Sequence, residues 1–200
     1  SQKVIDKINK RFSIEVAGRV LEDTKKADIS TQANFMFGIP SETRKDFQET
    51  LEFLKQNRKY MDTILASQSF CVIDKGTYLY NHPEEFVIRN RTHHLYWDSD
   101  NGENNYPQRM HRYEEFCRLA LSLGIPETSG VLKNKPDKWR LLGDYFFYKR
   151  DYQSAIENYL NAMNYETKTR TLFYQLSKCY EETGDYSKAK EILIHSSELK

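Results

Sequence analysis

The spacing of hydrophobic and polar positions in the first part of the chain predicts alternating helices and strands. Ser13 is placed to cap a helix over 14–27, and the apolar run 31–39 predicts a strand that is buried on both faces. Ser41 then begins a helix with one apolar stripe, and 61–73 predicts a second strand. A strand, a helix and a strand in this order predict a right-handed crossover between parallel strands, and therefore an α/β layout.

The periodicity is lost between 78 and 106, where aromatic and polar residues alternate around a tight-turn dipeptide. We interpret this stretch as a long excursion from the α/β layout. A last helix begins at Tyr106 and ends at Gly124. Residues 1–130 are therefore expected to form one unit, which is mostly helical by content.

The C-terminal part of the chain, 131–200, repeats itself at an offset of 34 residues. The matched pairs are Trp139 with Phe173, Leu142 with Leu176, Gly143 with Ser177, Phe146 with Tyr180, Asp151-Tyr152 with Asp185-Tyr186, and Ala155 with Ala189. This spacing resembles the tetratricopeptide family, in which small residues let two antiparallel helices touch. The resemblance implies an all-α segment of two repeats, at about 136–169 and 170–200.

The repeats offer two candidate binding surfaces. Helical repeats of this kind need about three units or a cap to cover the last apolar face, so the surface near Ile192 and Leu193 is expected to take a partner or a further helix. The four consecutive aromatic residues 145–148 cannot all be buried in one helix. They either pack between the repeats and the first unit or line a concave face that binds a peptide.

Composition excludes several classes of protein. The chain has 30 Lys and Arg against 29 Asp and Glu, for a formal net charge of +1, so no nucleic-acid partner is predicted. Hydrophobic residues make up 38% of the chain, which is enough for a core and too much for disorder. No window approaches the ~20 apolar residues of a membrane helix, and the first residues lack the apolar core of a secretion signal. We therefore expect a cytoplasmic protein with no membrane partner.

The cysteine and histidine positions predict no metal ligand set. Cys71, Cys117 and Cys179 are spaced too widely for a disulfide framework or a Cys-x2-Cys metal site, and we expect buried thiols. His93 and His94 are adjacent, so in an extended segment their rings would point to opposite faces. A shared ion would then need ligands from elsewhere in the chain.

The turn Gly38-Ile39-Pro40-Ser41-Glu42-Thr43 directly follows the first predicted strand and opens a helix. Enzymes of the α/β class place turns of this kind at their ligand-binding edge, where backbone amides suit a nucleotide or a carboxylate. The same residues are also typical of an ordinary turn that is closed by a capping box. Both interpretations stay open at this point.

Three motifs, in order, resemble the second half of a radical S-adenosylmethionine (SAM) barrel. They are the first residues, 1–9, the turn 38–43 with Phe47 and the helix after it, and Gly76-Thr77-x-Leu79-Tyr80 after the second strand. The resemblance covers about 1–126 and is closest to members with a cobalamin-binding domain upstream, some of which have a tetratricopeptide tail. It implies that the α/β unit is the distal half of a βα barrel.

The resemblance also implies cofactor-binding residues. In that family the fifth strand, the turn after it and the residues after the sixth strand contact the adenine of SAM or line the barrel. The positions implied here are Met36, Gly38, Ile39, Glu42, Val72 and Ile73. The family's Gly-x-Ile-x-Gly-x-x-Glu pattern would place its acid at Ser41, so Glu42 lies one residue late, as in the Gly-Glu-Thr of many relatives.

The resemblance further implies cofactors that this chain cannot hold alone. The family's Cys-x3-Cys-x2-Cys loop binds the iron–sulfur cluster after the first barrel strand, upstream of Ser1, and the chain lacks it. Cleavage of SAM needs an electron from that cluster, so we expect a fragment that is inactive alone. The intact parent would hold SAM, an iron–sulfur cluster and, in a cobalamin-type member, cobalamin. Its expected reaction is methyl transfer or rearrangement at an unreactive carbon.

The excursion and the open barrel lead to the remaining expectations. His93, His94 and Trp97 are candidates for a substrate pocket at the barrel mouth, with structural hydrogen bonding as the alternative. Half a barrel leaves strand edges exposed, so the isolated chain is expected to aggregate or dimerise. The expected partners are the upstream half of the same barrel and a protein bound by the repeats. The alternative function is a non-catalytic protein-binding module built on the repeats.

Overall fold

The computed structural model describes residues 1–65, 71–91, 93–126, 138–166 and 168–197. The chain divides into two compact units, Ser1–Gly130 and Val131–Lys200. The described residues are mostly helical, as predicted, with a small sheet in the first unit. None of the helices in these ranges is long and apolar enough to cross a membrane.

The elements of the first unit alternate in type along the chain. Its helices are α1 (Gln2–Lys7), α2 (Ile14–Lys26), α3 (Arg44–Asn57), α4 (Tyr78–Asn81) and α5 (Tyr106–Ser122), and its strands are β1 (Gln32–Asn34) and β2 (Thr63–Leu65). Short 3₁₀ turns cover Arg58–Tyr60, Pro83–Phe86 and Asp100–Gly102. The second unit contains α6 (Lys138–Tyr148), α7 (Tyr152–Tyr165), α8 (Arg170–Glu182) and α9 (Tyr186–Ser197).

The strands β1 and β2 pair in parallel, with Gln32 opposite Thr63. The helix α3 connects them, which confirms the predicted order of strand, helix and parallel strand. Strand β1 is shorter than predicted, because only three residues of 31–39 form it, and 66–70 of the predicted second strand lie outside the described residues. In the described ranges the sheet has only these two strands, so the other edge of β1 is not paired with a strand there.

The prediction that the first strand is buried on both faces is wrong. Gln32 and Asn34 are exposed, and Met36 is 51% exposed. Phe35 and Phe37, in the extended segment that follows β1, alternate with these positions and are covered on the opposite face. Helices of the described residues cover only that second face, so the first face of β1 remains open.

The core of the first unit forms where the covered face of β1 meets two helices. The Phe37 ring centroid lies 5.9 Å from that of Phe47 on α3 and 4.8 Å from that of Phe116 on α5. The Phe35 ring also packs on Phe116, with 4.6 Å between centroids. These aromatic contacts fix both helices on the same side of the sheet.

The helix α3 begins at Arg44, so the prediction that Ser41 begins it is wrong. Thr43 is the N-cap and forms a capping box with Asp46, in which each residue accepts the other's backbone N–H, at 3.2 and 2.9 Å. Ser41 instead has a φ of +71°, in the left-handed region. An N-cap residue needs extended backbone, which Ser41 does not have.

The helices α2 and α5 confirm the predictions made from caps and periodicity. The Ser13 hydroxyl accepts the Val16 N–H at 3.2 Å and caps α2. The helix α5 begins at Tyr106, and Gly124, with a φ of +75°, follows its last turn. Local sequence chemistry is therefore sufficient to place both of these helices.

The stretch 78–106 folds around a second small core. Trp97 is fully buried in a cluster formed by Ile39, Cys71, Ile73, Phe86 and Ile88. Antiparallel bridges join Arg89 to Asp98 and Ser99 to Asn104. The excursion is thus tied to the residues that follow β1 and β2.

The described part of the second unit consists of two helix hairpins. The helices α6 and α7 pack together, α8 and α9 pack together, and α7 packs on α8. The helix α7 begins at Tyr152, and α9 begins 34 residues further on, at Tyr186. Asp151 and Asp185 cap these two helices in the same way, each by accepting a backbone N–H at 3.1 Å. The period in the sequence therefore also separates the starts of α7 and α9.

Two apolar surfaces of the second unit are open to solvent in part. Of the surface expected near Ile192 and Leu193, Leu193 is 42% exposed, whereas Ile192 packs against the core of the hairpins. Ile194, the next residue of α9, is 53% exposed. Of the aromatic run 145–148, Tyr145 is buried and Tyr148 is 39% exposed. The run is therefore only partly buried, as expected for four consecutive residues of one helix.

The helices of the first hairpin approach each other at Gly143. A Cβ atom at this position would overlap the ring of Tyr159, which is fully buried. The Tyr159 hydroxyl donates to Asp144 Oδ1 at 2.8 Å, so this ring cannot shift without losing a hydrogen bond. Ser177 takes the equivalent place in the second hairpin and is also buried.

We expect Gly143→Ala to destabilise the second unit by about 1 to 2 kcal/mol. The overlap with Tyr159 destabilises the folded state by more than the higher helix propensity of alanine stabilises it. Ser177→Ala is the matched control. The Ser177 hydroxyl has no hydrogen-bond partner among the described residues, so its removal should leave stability unchanged or slightly higher. Hydrogen exchange in α7 and α9 of the full chain measures both effects. Equal losses in the two variants would contradict the overlap with Tyr159.

Candidate functional site

The turn 38–43 lies between the carboxyl end of β1 and the start of α3. Its backbone amides already have acceptors within the protein. The Gly38 N–H donates to Glu42 Oε2 at 2.8 Å, the Ser41 N–H donates to Asp100 Oδ2 at 2.9 Å, and the Glu42 N–H donates to a carbonyl of the turn. These hydrogen bonds and the capping box that follows favour the interpretation as an ordinary turn.

The Glu42 side chain forms a buried ion pair with Arg112 of α5. Arg112 Nη1 donates to Glu42 Oε2 at 2.7 Å, and the two residues are only 9% and 4% exposed. Burial raises the pKa of the Glu42 carboxyl, and the opposing effects of Arg112 and the Gly38 amide do not cancel this rise. Glu42 therefore links the turn to α5 from within the protein.

Asn104 and Arg109 hold the turn from the other side. Asn104 Nδ2 donates to the carbonyls of Gly38 and Ile39, at 3.1 and 3.2 Å. Arg109 is fully buried, and its aliphatic stem lies directly against Gly38. Its guanidinium donates to the Trp97 carbonyl at 2.9 Å and lies 4.0 Å from the centroid of the Trp97 ring. The turn and the excursion are therefore joined through Arg109.

The positions implied in cofactor binding divide into two groups. Met36 and Val72 are exposed, at 51% and 37%. The others are buried, namely Gly38, Ile39, Glu42 and Ile73. The Cys71 N–H donates to the Phe37 carbonyl at 3.0 Å, so the two segments that contain Met36 and Val72 run side by side.

The candidate pocket residues of the excursion lie in different environments. The His93 and His94 rings stack with 4.5 Å between centroids, so the prediction that they point to opposite faces is wrong. His93 also stacks on Tyr96, at 4.0 Å, and burial together with His94 lowers the pKa of His93. Trp97 is fully buried and donates its indole N–H to the Cys71 carbonyl at 2.9 Å, which makes it a core residue. His94 is the exposed member of the three.

The three cysteines are buried, as predicted. Burial raises the pKa of Cys71 and that of Cys179 to about 12. Both thiols are therefore protonated near neutral pH.

Sequence reasoning missed Asn104, Arg109 and Arg112. In α5, Arg109, Arg112 and Phe116 recur at helical spacing, which places both arginines on the side of the helix that carries the buried aromatic residue. This spacing was the available sequence signal for their burial. Nothing comparable marks Asn104, which lies in a turn.

No family model matches the chain. The chain is 33% identical over 91 residues to the tRNA-2-methylthio-N(6)-dimethylallyladenosine synthase of Thermosipho melanesiensis, a match that covers 44% of this chain and 20% of the relative. It is 33% identical over 60 residues to the synthase of the same name from Petrotoga mobilis, covering 29% of this chain and 14% of that relative. The matched segments thus span only a small part of each relative. Because these synthases are radical SAM enzymes, the partial similarities support a radical SAM relationship at the level of the broad class.

Proposed function

We propose that this chain is the distal part of a radical SAM enzyme of the cobalamin-dependent type, followed by repeats of the tetratricopeptide kind. The partial similarity to two synthases of the radical SAM class supports the class. The three ordered motifs and the period of 34 residues support the type and the tail. In the intact cytoplasmic protein the rest of the polypeptide would complete the barrel, and the enzyme would transfer a methyl group or rearrange a substrate at an unreactive carbon.

The one-sided burial of β1 and of the three residues after it is the observation that most directly supports the barrel. Gln32, Asn34 and Met36 are exposed on one face, while Phe35 and Phe37 pack on helices. In a closed βα barrel, helices cover one face of each strand, the other face lines the interior, and both edges are paired. Among the described residues, this segment has one covered face, one open face and one edge that no strand pairs with, which is what a barrel leaves when its preceding strands are removed.

The residues at the end of β1 fit the adenine of SAM. The Met36 thioether and the Val72 side chain offer exposed apolar surface that suits a purine ring. Ile39 and Ile73 follow these two residues in the chain and are buried in the core. In this class of enzyme SAM supplies an adenosyl radical after one-electron reduction by the cluster. The part of this chain is to bind the adenine and to orient it.

The iron–sulfur cluster does not fit the residues of this chain. The cluster of this family needs a Cys-x3-Cys-x2-Cys loop, whereas the chain has three widely spaced cysteines, all buried. We therefore assign the cluster ligands, and any cobalamin-binding domain, to the rest of the parent polypeptide.

The names of the two relatives specify a tRNA nucleoside, but the proposal does not extend to that substrate. Proteins that bind tRNA need a positive field to neutralise phosphates. The formal net charge of this chain is only +1. The proposal is therefore limited to the class of chemistry.

The full-length parent protein, reconstituted anaerobically with iron and sulfide, tests this proposal. We expect a bound iron–sulfur cluster, SAM binding, and formation of 5′-deoxyadenosine on reduction. Met36→Ala should weaken SAM binding by about tenfold with unchanged iron content, because an apolar contact of the adenine is lost. Leu121→Ala, a substitution at a residue of α5 that is 41% exposed, is the matched control and should change neither quantity. A parent without cluster or SAM binding, or equal effects of the two variants, would contradict the proposal.

A protein-binding role of the repeats is the alternative function, and exposed aromatic residues favour it. Tyr174 of α8 is 54% exposed, with Lys178 Nζ 5.7 Å from its ring centroid. Exposed tyrosines are enriched at protein interfaces. If the parent protein binds neither an iron–sulfur cluster nor SAM, protein binding by the repeats explains the function of this chain better than radical SAM chemistry does. Tyr174→Ala should then weaken binding of a purified stoichiometric partner, with the helix content unchanged.

A further inference from the structure

We propose that His82, Glu84 and Glu85 bind one divalent transition-metal cation at the surface of the first unit. One imidazole nitrogen and one oxygen from each carboxylate lie within 4.8 Å of one another. Among the described residues this is the only group of three or more potential ligand side chains with that proximity. The site lies outside the turn 38–43 and does not depend on the proposed SAM chemistry.

The distances between the three side chains suit a tetrahedral ion. His82 Nδ1 lies 3.3 Å from Glu85 Oε1 and 4.0 Å from Glu84 Oε1. Tetrahedral bonds of about 2.0 to 2.2 Å place neighbouring ligand atoms roughly 3.4 Å apart. The first pair is already at this separation, and the second pair is about 0.6 Å wider.

The backbone holds the three ligands on an anchored turn. His82 ends α4, and its carbonyl accepts the Glu85 N–H at 3.2 Å, which folds Glu85 back toward the imidazole. The 3₁₀ turn Pro83–Phe86 is fixed in turn by Phe86, which is 4% exposed. The sequence analysis missed this cluster because the spacing becomes a ligand set only after the 3₁₀ turn has formed.

Tyr78 orients two of the three ligands. Its hydroxyl lies 3.0 Å from Glu85 Oε2, and its ring stacks on the His82 imidazole with 4.2 Å between centroids. Outer partners of this kind hold metal ligands in place. The arrangement therefore reduces the ordering that an ion would have to impose.

The local charge favours a cation. No lysine or arginine among the described residues forms an ion pair with Glu84 or Glu85, whose basic neighbour there is His82. Lys7 is directed elsewhere, since its Nζ lies 3.5 Å from the Glu85 backbone carbonyl and 4.7 Å from the centroid of the Phe86 ring. One imidazole with two carboxylates suits Zn²⁺, Mn²⁺ or Fe²⁺ better than Mg²⁺ or Ca²⁺, which prefer oxygen ligands alone.

Titration of the full chain with Zn²⁺ at neutral pH, followed by calorimetry and by NMR of the histidine rings, tests the site. The chain has only five histidines, so each ring can be followed. We expect saturable binding of one ion with a shift at His82. His82→Ala should abolish this binding, and Tyr78→Phe, which keeps the ring and removes the hydroxyl, should weaken it by about tenfold.

His195→Ala is the matched control. His195 is an exposed histidine whose Nδ1 lies 3.0 Å from a carbonyl of its own helix, so its loss should leave Zn²⁺ affinity unchanged. Tyr78 is exposed and the His82 side chain is 42% exposed, so circular dichroism should show unchanged helix content. The absence of saturable binding would overturn the proposal. So would binding that survives His82→Ala or that shifts the His93 and His94 rings instead.

Discussion

Gly38→Ala is expected to lower the free energy of unfolding of the first unit by on the order of 3 to 5 kcal/mol. A Cβ atom at this position would overlap Cγ and Cδ of Arg109, which is fully buried. Arg109 cannot move aside, because its guanidinium donates to the carbonyls of Leu95 and Trp97, at 2.7 and 2.9 Å. The φ of +69° at Gly38 adds the conformational cost of a left-handed residue.

Gly76→Ala separates the two contributions to this loss. Gly76 also has a positive φ, of +85°, but nothing lies within 4 Å of a Cβ built there. Its substitution should therefore cost only about 1 kcal/mol, from the backbone alone. Hydrogen exchange in α3 and α5 of the full chain measures both variants, with the second unit as the internal reference. Equal losses at Gly38 and Gly76 would show that Arg109 yields to the added methyl group.

Elements whose ends are set by local chemistry could be predicted from the sequence. Ser13 caps α2, and α5 runs from Tyr106 to the turn at Gly124, because caps, periodicity and a glycine stop act within a few residues. The parallel pairing of β1 and β2 follows from their order around a helix. The open face of β1 could not be predicted in this way, because strand burial depends on which elements pack above it.

The details of the candidate site depend on residues that are distant in sequence. Ser41 and Thr43 are both residue types that cap helices. Thr43 is the cap of α3, because Ser41 has a positive φ and donates its N–H to Asp100. His93 and His94 stack because their segment is bent, whereas the prediction assumed extended backbone. Contacts of this range are set by the tertiary fold and leave no local pattern.

The buried ion pair of Glu42 and Arg112 was not predicted, because the two residues are 70 positions apart in the sequence. Its loss is nevertheless expected to have a large effect on stability. Arg112→Met should destabilise the first unit by about 3 to 5 kcal/mol at pH 7, because it leaves the Glu42 carboxylate buried without its partner. Arg118→Met is the matched control on the same helix. Arg118 pairs with Glu114 at 2.6 Å but its side chain is 73% exposed, so its loss should cost less than about 1 kcal/mol.

The effect of Arg112→Met should shrink in acid. Burial already raises the pKa of Glu42 above its ordinary value of 4.5, and loss of the guanidinium raises it further. The folded variant then takes up a proton at a higher pH than the unfolded chain does, so its free energy of unfolding rises as pH falls from 7 towards 4.5. Glu42→Gln combined with Arg112→Met removes the buried charge and should be more stable at pH 7 than Arg112→Met alone. A loss that is independent of pH, or no rescue in the double variant, would mean that Arg112 acts through packing and not through its charge.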